Sequence, residues 1–240
     1  MTSIAKAVAI PGRLIPTELT IEVGQLVAMI GPNGGGKTSL LRAIARTEDA
    51  TGAVQVDGRD LDSTREAERR RLVSFMPASR ETPWPIRVTD FIALGLGSPE
   101  DERIAELVAA LELDLLTERP IDRLSTGERA RAMLARALAS KARLLLLDEP
   151  LSNLDPYWVL RTIDLLRSEI ARNASSALVS VHDLALIERF DRALLVSRGI
   201  VVGDGDPAAV LASDAFSAAF RIQPAGSGWA LRSADPQSSQ

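Results

Sequence analysis

Residues 31–38 read Gly-Pro-Asn-Gly-Gly-Gly-Lys-Thr, and no other stretch of the chain restricts its fold so tightly. The spacing is that of a phosphate loop, G-x-x-x-x-G-K-[ST], which works only between a strand and a helix. The apolar run Gln25–Ile30 precedes it and a helical pattern over Leu40–Arg46 follows. Glycines let successive backbone N–H groups face one anion, and the helix N-terminus adds partial positive charge. Gly31, Pro32, Asn33, Gly34, Gly35, Gly36, Lys37, Thr38 and Ser39 then form a site for a nucleotide's phosphates. Lys37 would reach the β- and γ-phosphates, and the Thr38 hydroxyl would face Mg²⁺. The plainer alternative, a glycine-rich turn with an incidental lysine, does not account for the strand and helix on either side.

Short apolar runs alternate with helical patterns elsewhere. Gln25–Ile30, Ala53–Val56, Leu72–Met76, Arg143–Leu147, Ala177–Val181 and Arg192–Val196 read as strands. Three of them lack a two-residue alternation, as expected in a mostly parallel sheet covered by helices on both faces. From Pro83 to Ala139 the pattern is wholly helical. Ser98-Pro99-Glu100-Asp101 supplies a cap, a proline at the first position and acids in the first turn. The expectation is an α/β core interrupted by an α-helical insertion. Gly199–Gly205 resembles a short hairpin, with two small helices near 207–212 and 214–220 and a frayed polar tail from Ser233.

Three further clusters carry chemistry. The strand Arg143–Leu147 runs into Asp148-Glu149-Pro150, which puts two carboxylates at the sheet edge where phosphate loops lie. Asp148 would hold magnesium through water, and Glu149 would activate the attacking water. His182 is the only histidine and follows the strand Ala177–Val181, so it emerges at the same edge. A lone histidine is more often a satisfied surface or core residue; the placement is what makes this one a candidate. Ser125-Thr126-Gly127-Glu128 before the helical pattern Ala130–Ala139 is a capping box with no need of function. It is equally an anion site at an arginine-rich helix N-terminus, and spacing alone leaves the two readings level.

Composition removes whole classes. The chain has no cysteine and one histidine, so disulfide scaffolds, thiolate zinc sites and thiol nucleophiles are excluded. Lys and Arg total 28 against 32 Asp and Glu, a net charge of −4, and no basic surface points to nucleic acid. No run approaches the roughly 20 apolar residues of a spanning helix. The apolar run Ala7–Ile10 stops at Pro11, too short for a signal-peptide core. A soluble, cytoplasmic chain is expected, one that serves a membrane process only through another protein.

Gly31–Thr38, Leu124–Glu128, Leu144–Pro150, Ser152–Asp155 and Val181–Asp183 occur in the order and spacing of the ATP-binding cassette (ABC) family, which the chain resembles over residues 1–222. The resemblance implies a phosphate-loop NTPase core (1–82 and 140–222), a helical subdomain (83–139) and a partly flexible C-terminal tail (223–240). It implies Walker A and Walker B motifs, a signature loop (Ser125, Gly127, Glu128), a D-loop (Asp155) and a switch histidine (His182). Catalysis would rest on Glu149, His182 and Lys37, with Thr38 and Asp148 on Mg²⁺. In this family two copies pair head to tail, each ATP lying between one copy's phosphate loop and the other's signature loop. On that arrangement Ser125 is functional.

Within the family the chain looks most like ATPases of bacterial importers for iron-siderophores, haem and cobalamin. That likeness implies a homodimer in the ATP-bound state at the cytoplasmic face of the inner membrane. Its partners would be permease subunits and, indirectly, a substrate-binding protein. The alternatives are a soluble ABC ATPase of the iron–sulfur assembly type and a regulatory protein with poor hydrolysis. Three positions depart from the family pattern. Residues 1–30 contain no aromatic to stack on adenine, which leaves the Arg13 guanidinium as a substitute. The signature reads Ser-Thr-Gly-Glu where Ser-Gly-Gly-Gln is usual. Ala78 stands where a glutamine is expected after Leu72–Pro77, unless Ser79 takes its part.

Overall fold

Two sheets share one helix between them, and the phosphate loop opens that helix. The computed structural model describes residues 2–79, 85–96, 101–225 and 228–231. Strands β1 (Thr2–Ile10) and β2 (Leu14–Glu22) form an antiparallel pair, followed by β3 (Leu26–Ile30) and helix α1 (Lys37–Ala45). Next come β4 (Thr51–Val56), β5 (Arg59–Asp60), α2 (Glu66–Leu72) and β6 (Val73–Met76). The helical stretch follows: α3 (Val88–Ala93), α4 (Asp101–Ala110), 3-10 turns at Asp114–Leu116 and Ile121–Arg123, and α5 (Thr126–Ala139). The chain then returns through β7 (Leu144–Leu147), α6 (Pro156–Asn173), β8 (Ser176–Ser180), β9 (Arg192–Ser197) and β10 (Ile200–Gly205). It ends on α7 (Pro207–Leu211), α8 (Asp214–Phe220), β11 (Ile222–Ala225) and β12 (Gly228–Leu231).

The main sheet has six strands in the order β10-β9-β3-β8-β7-β6, all parallel except β10. Every side chain of β3, β7 and β8 is buried, because both sheet faces are covered. Leu26, Ala28 and Ile30 face a core shared with α5 and α6, while Val27 and Met29 face a second core with Leu40, Leu41 and Ile44 of α1. The second core is closed by the antiparallel sheet β2-β1-β4-β5.

That antiparallel sheet is only half visible in the sequence, where β1 and β2 were not expected as strands. Register shifts after Ala5 and again after Val8, with Ala7 at φ 51, break the alternation of β1. Pro16 sits inside β2, on the strand's outer edge position in the sheet.

The expected helix start Ser98–Glu100 lies outside the described residues; α4 is present from Asp101. Ile104, Leu107, Val108 and Leu111 pack into the larger core as their spacing indicates. The hairpin and the two small helices near the C-terminus occur where expected. Part of the tail from 223 folds into two strands, and the polar stretch from Ser233 lies outside the described residues. β11 and β12 pair antiparallel, and the Trp229 ring lies 4.9 Å from that of Phe216, a fully buried core residue. No described helix is long and apolar enough to cross a membrane.

Candidate active site

The C-terminal ends of β3, β7 and β8 converge on one cleft. Gly31 leaves β3 at φ 153, and a Cβ there would fall 2.0 Å from the Val196 carbonyl oxygen, so only glycine lets the loop cross β9. Gly36 ends the loop at φ 107 as the residue before α1, which therefore starts with no side-chain cap. Its first N–H groups stay free for an anion. Lys37 is buried and its Nζ donates to the carbonyls of Gly31 (2.7 Å) and Pro32 (3.1 Å), straddling the loop. Burial pushes the Lys37 ammonium below the usual lysine range, and the Glu149 and Asp148 carboxylates offset part of that.

Asp148 and Glu149 are held differently. Thr38 Oγ1 donates to Asp148 Oδ2 at 2.8 Å, and Ser180 Oγ donates to Oδ1 at 2.7 Å. Glu149 N–H donates to the same Ser180 oxygen at 2.7 Å and its backbone sits at φ 53, a left-handed conformation that costs a non-glycine residue on the order of 1–3 kcal/mol. That turn swings the carboxylate away from Asp148 toward His182, whose Nε2 lies 2.7 Å from Glu149 Oε1. Ser152 Oγ donates to Oε2 at 3.2 Å. Burial raises the Glu149 carboxyl, but the His182 hydrogen bond and charge, Ser152 and the Lys37 ammonium outweigh it and hold the group below the usual carboxylate range. An ionised carboxylate only accepts, so His182 Nε2 carries the proton of their hydrogen bond.

The cleft, about 710 Å³, is lined by the phosphate loop from Asn33 through Ser39, by Glu149 and His182, and by the turns Gly12–Ile15 and Arg198–Gly199. The two turns are joined by the Ile15 N–H to Gly199 carbonyl bond at 2.9 Å. The loop's glycines, the buried Lys37 and the Thr38–Asp148 oxygens suit a nucleotide triphosphate with Mg²⁺. Among the described residues no three His, Asp or Glu side chains cluster to hold a metal, so phosphate and water oxygens would complete the shell, as Mg²⁺ prefers.

Ser125, Gly127, Glu128 and Asp155 do not line this cleft. Ser125 caps α5: its N–H donates to Glu128 Oε2 (2.8 Å) and its Oγ accepts from the Glu128 N–H (3.3 Å). Asp155 caps α6 through the Trp158 N–H at 3.0 Å. The two caps are neighbours, with Gly127 close to the Asn153 carbonyl. Arg13 reaches the cleft wall, where its half-exposed guanidinium pairs with Glu48 at 2.8 Å. Ile15, 54% exposed, adds apolar surface beside the loop. Sequence reasoning missed Ser180, the residue that ties the two acids together. Its signal was a serine in an otherwise apolar strand, two positions before His182.

This fold and cleft define a phosphate-loop nucleotide-binding protein with two acids, Asp148 and Glu149, beside the loop. The family model described as ABC transporter matches residues 14–152. The hemin import ATP-binding protein HmuV of Streptomyces coelicolor is 37% identical over 213 residues, covering 85% of this chain and 76% of that protein. The cobalamin import ATP-binding protein BtuD of Halobacterium salinarum is 33% identical over 211 residues, 84% of this chain but only 53% of that longer protein. Among solved structures, a dimeric post-hydrolysis ATP-binding cassette bound to ADP and Pi has a similar fold. Its TM-score is 0.76 at 22% identity, over 86% of this chain and 99% of that one. The chain belongs to the ABC transporter family and is one of its ATP-binding ATPases.

Proposed function

We propose that this chain is the ATPase subunit of an importer, docked on permease subunits at the cytoplasmic face of the inner membrane and working as a head-to-tail dimer when ATP is bound. The transported compound is an iron-siderophore, haem or cobalamin, delivered by a substrate-binding protein. The names of the haem and cobalamin relatives support that class of cargo. The observation that carries the enzymatic part is the placement of Glu149, hydrogen-bonded to His182, across the cleft from the loop of Lys37.

In this reading the loop amides and Lys37 hold the triphosphate, and Thr38 and Asp148 hold Mg²⁺, which neutralises charge on the phosphates when bound. Glu149 takes a proton from water as the water oxygen forms its bond to the γ-phosphorus. The bond from that phosphorus to the bridging oxygen breaks, and ADP leaves with the electron pair. His182 fixes the direction of the Glu149 carboxylate. Ser125, Gly127 and Glu128 stand outside their own cleft and act, with Asp155, on the partner copy's ATP. Glu149→Gln keeps shape and loop intact, so MgATP should still bind. Turnover should fall about 10²-fold or more, the scale of a positioned general base. Wild-type turnover in that variant would remove Glu149 from its role.

A further inference from the structure

On the far side of the main sheet from the nucleotide loop's helix, β6 forms the sheet's outer edge and α3 ends against α5. The approach is close: a Cβ on Gly95 would fall 2.0 Å from the Arg136 carbonyl oxygen. Beside this contact a pocket of about 200 Å³ opens, lined in part by Arg70, Phe75, Leu94, Arg136 and Ser140. Its polar groups are out of balance. Arg70 is paired with Glu66 at 3.2 Å, whereas the half-buried Arg136 has no acid or acceptor among the described residues and rests its guanidinium 5.0 Å from the Phe91 ring. Burial pushes the Arg136 guanidinium below its ordinary value, with no carboxylate to offset it. The Ser140 hydroxyl is buried there without a partner. Leu94, at the rim, is 55% exposed.

A half-buried cation and an orphan hydroxyl are each costly unless another molecule completes them. We propose that this pocket receives a carboxylate side chain of a partner protein, an Asp or Glu of the permease, paired with Arg136 and hydrogen-bonded by Ser140. This rests on the importer reading for the identity of the partner. The pocket has room for a side chain rather than a nucleotide. Its apolar rim of Phe75 and Leu94 suits a folded segment that carries the acid among apolar residues, which a free ion does not need. Planar guanidinium and carboxylate pair in two parallel hydrogen bonds, so Arg136 also fixes the direction of approach.

The test uses the full chain and the membrane permease that co-purifies with it, reconstituted in lipid nanodiscs. Arg136→Gln should weaken binding by about 30-fold or more, the effect of removing one partner of a buried charge pair. Arg136→Lys should recover part of it, and ATP turnover and Tm of the isolated chain should not change. Equal affinity of the Gln variant and wild type overturns the pocket. If wild type binds no membrane protein, the importer reading fails on its own account, and a second measurement decides the pocket. In that measurement N-acetylglutamate is titrated into chain labelled with ¹⁵N-arginine. A saturable shift of the Arg136 Nε signal, reduced by Ser140→Ala, supports a carboxylate site. No shift, or an equal response to inorganic phosphate, overturns it.

Discussion

Asp148 and Glu149 are adjacent in sequence yet face different neighbours, and the Ser180 hydroxyl is what divides them. It donates to one carboxylate and accepts the N–H of the other, while the left-handed backbone at Glu149 aims its side chain at His182. Ser180→Ala should therefore lower kcat more than it raises KM for ATP, because the loop and Lys37 are untouched; steady-state kinetics read the split. The held ionisation of Glu149 has a pH consequence. The opposing effect of burial is outweighed, chiefly by the His182 hydrogen bond, and its carboxyl is held below the usual carboxylate range. Its contribution to stability is therefore complete above the ordinary, unfolded value and is lost as pH falls through the lower, folded one. Ala78, at the end of β6, offers no oxygen to a magnesium shell. Ala78→Gln should leave ATP affinity within about threefold, since Mg²⁺ readily takes a water in place of one ligand. It should also raise the stimulation of hydrolysis by reconstituted permease; equal stimulation would mean that the missing glutamine carries no coupling.

At the level of elements, what could be read from the sequence was what the physics repeats locally. Continuous apolar runs such as Leu144–Leu147 can only be strands buried on both faces, and the glycine loop demands a strand before and a helix after it. β1 and β2 escaped because their alternation is broken by bulges and by Pro16, so their pairing becomes evident only with β4 in place. The hairpin of β11 and β12 escaped because its reason for existing is long-range, the packing of Trp229 on Phe216. Ser180 was hidden for the same kind of reason: its two partners lie on another strand's end. A buried ion pair was invisible too. Arg103 of α4 and Glu169 of α6 bond in the interior, with Arg103 also donating to the Leu138 carbonyl at 2.9 Å, which locks the helical stretch to the core. Glu169→Gln leaves Arg103 without its main counter-charge and should cost about 3 kcal/mol in urea unfolding, the lower end for a broken buried pair. A loss below about 1 kcal/mol, the range of an exposed pair, would show that Glu106 alone compensates Arg103.

On the scale of the whole molecule, the decisive fact is a separation. The phosphate loop, Glu149 and His182 share one cleft, while Ser125 and Asp155, both exposed, cap neighbouring helices outside it, with Gly127 half-buried beside them. A helix N-terminus stabilises an anion by about 0.3–1 kcal/mol, and only within its first turn, and the first turn of α5 does not line the chain's own cleft. On the proposed reading these are two half-sites that belong to different copies, which no single sequence position states. The most direct measurement mixes two inactive chains, Lys37→Ala and Ser125→Arg, and follows MgATP binding and turnover. Each variant alone should spoil both sites of its dimer. In a mixed dimer one site carries both defects and the other carries neither, so the mixture should hydrolyse ATP where neither parent does. A mixture as inactive as its parents, with mixed dimers shown to be present, would contradict the composite site.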